Sequence, residues 1–296
     1  MISREKTLQK DFKLRKFIEW LFVNISDFII PPFHCLLKVH KLNNLTNLDN
    51  ANGRPIVGNY KAPLTNASKY MAFLLQPILE NTPTYLKNSF ELINILEGKF
   101  FTSDFPVFVI TGDVQEMYPS IPLKEAITIN VVDRLYKYIN NNDFLTHKQF
   151  YNLLEMILYC NVLYFNNEFY LQEEGLPMGS SCSPQIASLF LWNLERNVPN
   201  YFYNYILLWK RFIDDVFIIW NGPKVILNKF LEWYNSLHYK IKISWKISDN
   251  YVDFLDITVC VDYKNLSFYV KTFQKPINNY MYVLIQNIPL MSKKVL

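Results

Sequence analysis

The chain has four cysteines in 296 residues, and no two of them form a CxxC pair. Cys35, Cys160, Cys182 and Cys260 are too scattered for a zinc ribbon and point to free thiols in a reducing compartment. His34, Cys35 and His40 lie close together, but no second pair of ligands accompanies them, so no metal site is expected there. No apolar run is long enough to span a membrane; the stretch from Phe17 to Phe33 is interrupted by Glu19, Asn24, Asp27 and the pair Pro31-Pro32. No signal peptide is recognisable at the N-terminus. Glycine is scarce, at 7 residues, and neither an internal repeat nor a low-complexity linker divides the chain. An intracellular, soluble protein is expected, with nothing to separate nucleus from cytoplasm.

Half of the residues, 50%, are hydrophobic and 17% are aromatic, enough for a sizeable core in one large domain or two smaller ones. Charged residues make up 19%, which argues against disorder, and a net charge of +4 does not by itself imply a nucleic-acid partner. Helical, amphipathic character runs through residues 1 to 30. "FHCLLKVHK" (Phe33 to Lys41) and "RPIVGNY" (Arg54 to Tyr60) read as strands of a basic hairpin around an Asn-rich loop. Helices are expected over Asn66 to Gly98 with a break near Pro83, Lys124 to Asn142, Thr146 to Asn161, Gln185 to Glu195 and Lys224 to Leu237. "FPVFVITGDV" (Phe105 to Val114) reads as a buried strand, and Val162 to Gln172 as a hairpin turning on Asn166-Asn167. Three short strands should follow, at Ile241–Ile247, Phe254–Val261 and Leu266–Lys271. The mixture is α+β, an antiparallel sheet backed by helices.

In "LLWKRFIDDVFIIWNG", Asp214 and Asp215 sit between two apolar strands, where burying carboxylates is costly. An ordinary exposed turn would also accept them. Asp113 ends the earlier apolar strand. In one shared sheet the three acids would converge at one end, and hard carboxylate oxygens so gathered suit Mg²⁺. Two such ions about 4 Å apart clamp an in-line phosphoryl displacement.

Further segments carry a resemblance. "GDVQEMYPSIP" resembles polymerase motif A of reverse transcriptases, "GLPMGSSCSPQIASLFLWNLE" motif B, and "RFIDDVFIIW" motif C, in the family's order. "LLKVHK…GRPIV" is similar to the fingers motifs. "MYPSIP", "FLDITV" and "FYVKTFQKP" resemble the Penelope-like element and telomerase-related group. The resemblance covers about residues 33 to 290. It implies a right-hand polymerase fold: an N-terminal helical segment over 1–32, fingers over 33–104, a palm over 105–266, and over 267–296 the palm's end with the start of an incomplete thumb. "SSCSP" departs from the usual Ser-Pro-Leu-Ser-Pro after the motif B glycine, and neither a ribonuclease H acidic set nor a GIY-YIG endonuclease is evident.

The implied activity is an RNA-directed DNA polymerase of a retroelement, using an RNA template, a DNA primer, dNTPs and two Mg²⁺ ions, with Mn²⁺ as a substitute. Asp113 and Asp214 would be the principal ligands, with the Val114 carbonyl and Asp215 completing the site. Tyr118, five residues past Asp113, would pack beneath the sugar and block a 2′-hydroxyl, unless it is simply core. Arg54 and Lys38 or Lys41 would reach the triphosphate; the lysines would equally suit a solvated face. Gly175, Pro177, Met178, Gly179 and Ser180 would form the loop against the nascent base pair, although the same sequence also makes a plain helix-capping loop. Lys240 or Lys242 would protonate the leaving pyrophosphate, or merely decorate a strand. The competing readings are an RNA-dependent RNA polymerase, which Tyr118 disfavours, and an inactive nucleic-acid-binding remnant.

Overall fold

A computed structural model describes residues 2–23, 27–37, 53–127 and 145–274, with side chains from residue 12 onward. Its organising element is a four-stranded sheet in the order β6-β7-β3-β8, antiparallel throughout. These strands are Ile206–Phe212 (β6), Asp215–Asn221 (β7), Val107–Val114 (β3) and Ile243–Ser248 (β8). β3 and β7 are the central pair and the most apolar. Their residues are buried on both sides because each face of the sheet carries a separate core.

The alternation of side chains sorts these cores. Phe108, Ile110, Val216, Ile218 and Trp220 face a layer of helices: α2 (Thr65–Glu80), α6 (His147–Tyr159), α7 (Ser183–Glu195) and α9 (Lys224–Ser236). Val107, Val109, Phe217 and Ile219 face a second sheet, order β11-β10-β9, together with α3 (Ser89–Leu96). The second sheet comprises Tyr251–Phe254 (β9), Ile257–Asp262 (β10) and Ser267–Thr272 (β11). Burying these nine side chains stabilises the fold by roughly 14–27 kcal/mol before entropy is charged against it.

Two hairpins complete the frame. β1 (Phe33–Leu37) pairs with β2 (Gly53–Val57), and β4 (Val162–Phe165) with β5 (Glu168–Leu171). The latter turns on Asn166 and Asn167, both left-handed at φ 50 and 64, as a two-residue type I′ turn requires. The first helix, α1 (Ile2–Leu21), lies on α2, where the Asn66 side chain donates to Trp20 O at 3.2 Å and Phe17 meets Tyr70.

Most expected elements are present with trimmed ends, and one is corrected. Phe254–Val261 is not a single strand: the chain reverses at Leu255-Asp256, so that Phe254 pairs with Ile257 across the β9–β10 hairpin. Leu255 takes the left-handed conformation at φ 54, a position for which the sequence offers no glycine or asparagine. Of the helix expected over Lys124 to Asn142, Leu123–Ile127 (α5) is seen, and 128–142 lies outside the described residues. Among the described residues no helix is long and apolar enough to cross a membrane.

Candidate active site

The acid pair sits where β6 turns into β7. Phe212 pairs with Asp215, leaving a two-residue loop, Ile213-Asp214. Ile213 is left-handed at φ 55, which for a β-branched residue costs roughly 1–3 kcal/mol. Both loop carbonyls are held: Ile213 O accepts from Arg211 Nη1 at 3.0 Å, and Asp214 O from the Val114 amide at 3.0 Å. Asp113 lies directly opposite Asp215 in the β3–β7 register.

Asp113 stands between two concavities. With Asp214 it lines a cleft of about 970 Å³, whose walls include Arg54, Val114, Tyr118, Met178, Gly179, Ser180, Lys240 and Lys242. With Asp215 it lines a smaller hollow of about 320 Å³, bounded by β8 and the β9–β10 turn. Among the described residues no three acidic, histidine or cysteine side chains are gathered closely enough to hold a metal ion by themselves. The donor set is still one that fits Mg²⁺, which takes one or two carboxylates and completes its octahedron with water and phosphate oxygens.

The segment after Asp113 is folded tightly against the motif B loop. Glu116 is left-handed at φ 47 and starts a single turn, α4 (Met117–Ser120). Tyr118 on that turn is half-buried on the cleft wall. Burial, and then the neighbouring Asp214 carboxylate, push its phenol up to about 12, so it stays neutral at physiological pH. The Leu176 amide donates to Tyr118 O at 2.8 Å.

The loop residues divide into two groups. Met178, Gly179 and Ser180 reach the cleft. Gly175 and Pro177 are buried and do not line it. Gly175, at φ 74, backs onto Pro119, where an added Cβ would lie 2.7 Å from Cα, so it supports the Tyr118 turn from behind. The loop is also tied to its far wall. Val57 N donates to Met178 O at 2.9 Å, the hydroxyls of Ser68 and Ser180 are 2.7 Å apart, and the Cys182 amide donates to Ser68 Oγ at 3.2 Å. Ser183 begins α7, two residues ahead of the expected Gln185, with its hydroxyl donating to Pro177 O at 2.7 Å.

Arg54 is exposed on β2 at the cleft wall; Lys38 and Lys41 lie outside the described residues. Lys240 and Lys242 both line the cleft. Lys240 Nζ is 3.3 Å from Glu174 Oε2, and Lys242 Nζ donates to Asn235 O at 3.1 Å.

Sequence reading misses a buried polar cluster behind the acid turn. Arg211 and Glu195, with side chains 2% and 1% exposed, form a forked pair, Nε to Oε1 at 2.6 Å and Nη2 to Oε2 at 3.2 Å. Glu195 also accepts from Tyr234 Oη at 2.5 Å and Thr84 Oγ1 at 2.8 Å. The signals for it are Arg211, next to Lys210 in the apolar stretch "LLWKRF", and Glu195, which closes the apolar stretch "SLFLWNLE".

No family model matches the chain. An alignment 86 positions long, covering 24% of this chain, is 34% identical to the telomerase reverse transcriptase of Oryza sativa subsp. japonica and covers 7% of that protein. Among solved structures, an apo telomerase from Candida tropicalis truncated from its C-terminal domain is similar with a TM-score of 0.55 at 10% identity, over 87% of this chain and 59% of that one. A telomerase from Candida albicans in complex with a TWJ fragment of telomeric RNA gives 0.57 at 12% identity, over 88% and 49%. The BmCPV RNA-dependent RNA polymerase in its quiescent state gives 0.52 at 13%, over 83% and 22%. The chain therefore has the right-hand polymerase fold. It spans about half of the telomerase chains and a small part of the rice protein.

Proposed function

We propose that this chain is the fingers and palm of an RNA-directed DNA polymerase, joining dNTPs to a primer 3′-hydroxyl. The observation that carries the reading is the placement of Asp113 across from Asp215, with Asp214 on the adjoining turn and sharing the larger cleft with Asp113. Three carboxylates at one sheet end make sense where cations neutralise them. Mg²⁺ held by Asp113 and Asp214, with the Val114 carbonyl and Asp215 assisting, would supply the Lewis acidity for attack on the α-phosphate.

The remaining roles fall to side chains around the cleft. Arg54 faces the triphosphate, as a fork of donors suited to phosphate oxygens. Met178, Gly179 and Ser180 present backbone and small side chains to the base pair. Tyr118, neutral and half-buried beside Asp214, fills the space a 2′-hydroxyl would need and so selects dNTPs. Lys240 or Lys242 delivers a proton to pyrophosphate; Lys240 must first leave Glu174. The RNA template, DNA primer and retroelement origin rest on the motif resemblance, and "MYPSIP" and "FLDITV" favour the Penelope-like and telomerase-related group over other reverse transcriptases.

The second reading, an RNA-dependent RNA polymerase, is favoured by the viral structure of comparable, slightly lower fold likeness and opposed by Tyr118. Primer extension on an RNA template with Mg²⁺, offering dNTPs or rNTPs, separates the two. Incorporation of dNTPs that is abolished in Asp214→Asn supports the proposal; exclusive use of rNTPs, or no loss in the variant, overturns it.

A further inference from the structure

A buried ion pair is not, by itself, a good way to stabilise a core, because apolar residues of the same size often do better. Arg211 and Glu195 are nonetheless deeply buried and extensively hydrogen-bonded, so their contacts indicate what they are kept for. Three of the four side-chain contacts of Arg211 tie it to α7: two to the Glu195 carboxylate and one, from Nη2, to Ser188 O at 2.9 Å. Glu195 is in turn fastened to Thr84 and to Tyr234 on α9. The Arg211 backbone is also pinned, donating to Thr84 O at 2.6 Å and accepting from the Leu86 amide at 3.0 Å. Among the described residues, the side-chain hydrogen bond that leads from Arg211 out of this anchored cluster to the acid turn runs from Nη1 to Ile213 O.

That carbonyl belongs to the peptide plane entering Asp214. The plane leaving Asp214 is fixed by the Val114 amide on Asp214 O. Asp214 therefore sits between two pinned peptide planes, following a β-branched residue in the left-handed region. Without the arginine, Ile213 would gain by relaxing out of that region, and the relaxation would rotate the first plane and swing the Asp214 carboxylate.

We propose that Arg211 and Glu195, with Tyr234 and Thr84, form a positioning strut that holds Ile213 left-handed and so aims the Asp214 carboxylate into the cleft. The inference rests on the polymerase reading for its catalytic consequence, while its geometric content stands apart from it.

The test compares the parent chain, Arg211→Lys, and Arg211→Lys combined with Ile213→Gly. Lysine keeps the charge but has no fork to span Glu195 and Ile213 O together. Glycine accepts positive φ without strain. Primer extension by Arg211→Lys should fall about 100-fold in kcat, the order expected for a misplacement of about 1 Å, with KM for dNTP little changed. Adding Ile213→Gly should recover about tenfold of that loss, because the turn no longer needs forcing. A purely structural staple would not be rescued by a change in the turn. Full activity in Arg211→Lys, or no recovery in the double variant, overturns the strut. Amide exchange provides the readout if the parent extends nothing, an outcome that counts against the polymerase reading alone: the Val114 amide should exchange faster in Arg211→Lys while Ile110 and Ile218 keep their protection. Unchanged exchange at Val114 overturns the strut. Should Arg211→Lys fail to fold, Tyr234→Phe, which removes one donor to Glu195 and leaves the ion pair, should show the same selective exchange; its absence there is equally decisive.

Discussion

Asp113 faces Asp215 across neighbouring antiparallel strands, on the sheet face where the apolar row of Val107 and Val109 gives way to Thr111 and then to carboxylate. Like charges placed directly opposite weaken a ladder, a cost that the proposed Mg²⁺ site would offset. Asp214 lies one residue away but on the turn, and it shares the larger cleft with Asp113, whereas Asp215 shares the smaller hollow. The two adjacent acids are therefore not equivalent.

This asymmetry sets the first prediction. Asp214→Asn should lower kcat for primer extension by about 1000-fold or more, the scale of several kcal/mol of lost charge stabilisation. Asp215→Asn should cost about 10- to 100-fold. Single-turnover extension at saturating dNTP over a range of Mg²⁺ concentrations measures both. Equal losses in the two variants would remove the distinction drawn from the cleft.

Tyr118 sets the second. Its ring occupies the cleft wall beside Asp214, and truncation opens room at that position. Tyr118→Ala should raise the ratio of rNTP to dNTP incorporation by about 10- to 100-fold, within the range a change in pocket size supplies. The ratio of kcat/KM for matched rNTP and dNTP is the measurement. A ratio that stays constant would return Tyr118 to the core.

The third concerns alkaline stability. The Tyr118 phenol is raised to about 12 by burial and by Asp214, and that of Tyr234 is raised by burial and by Glu195. In the unfolded chain both ionise near 10, so the folded state keeps protons that the unfolded state gives up. Their contribution is intact below pH 10 and is lost as pH rises from 10 towards 12. One fully coupled group gives a slope of about 1.4 kcal/mol per pH unit, and Tyr118, with part of its ring in solvent, gives less. Urea midpoints should be flat from pH 7 to 9 and fall above 10, with a shallower fall in Tyr118→Phe.

What the sequence makes legible, and what it hides, follows from the turns. β3 announces itself as an apolar run ending on an acid, and the Asp214-Asp215 hairpin is bracketed by two apolar strands, so both elements are legible, while their meeting in one sheet is only a condition until the β3–β7 register meets it. The reversal at Leu255-Asp256 is not legible, because "FLDITV" is nearly as apolar as a strand and its one aspartate, with no glycine or asparagine beside it, is a weak turn signal. It has the same form as the acid turn: an aliphatic residue at φ 54 or 55, then an aspartate whose carbonyl is bound by a distant amide, from Phe273 in one and Val114 in the other. In a chain with 7 glycines, tertiary contacts hold conformations that local chemistry does not request. The Arg211–Glu195 pair is hidden for a similar reason. Each charge looks like a surface residue until packing brings the two together, and only burial reveals the need for a partner.

Gly179 carries the last prediction. It passes the Val57 backbone so closely, at φ 124, that an added Cβ would lie 2.1 Å from Val57 O. The neighbouring Met178 carbonyl takes the Val57 amide, so the loop and the β1–β2 hairpin that bears Arg54 are joined at this point. Gly179→Ala must push the two apart, and backbone has little room to yield. The substitution should cost about 1–3 kcal/mol of stability and raise KM for dNTP, because Arg54 and the loop lose their common registration. Gly98 also has positive φ but nothing within 4 Å of its Cβ position, so Gly98→Ala is the matched control: it bears the backbone strain without the clash. Thermal unfolding and dNTP titrations on both variants separate strain from registration, and a KM shift of equal size in Gly98→Ala would refute the coupling.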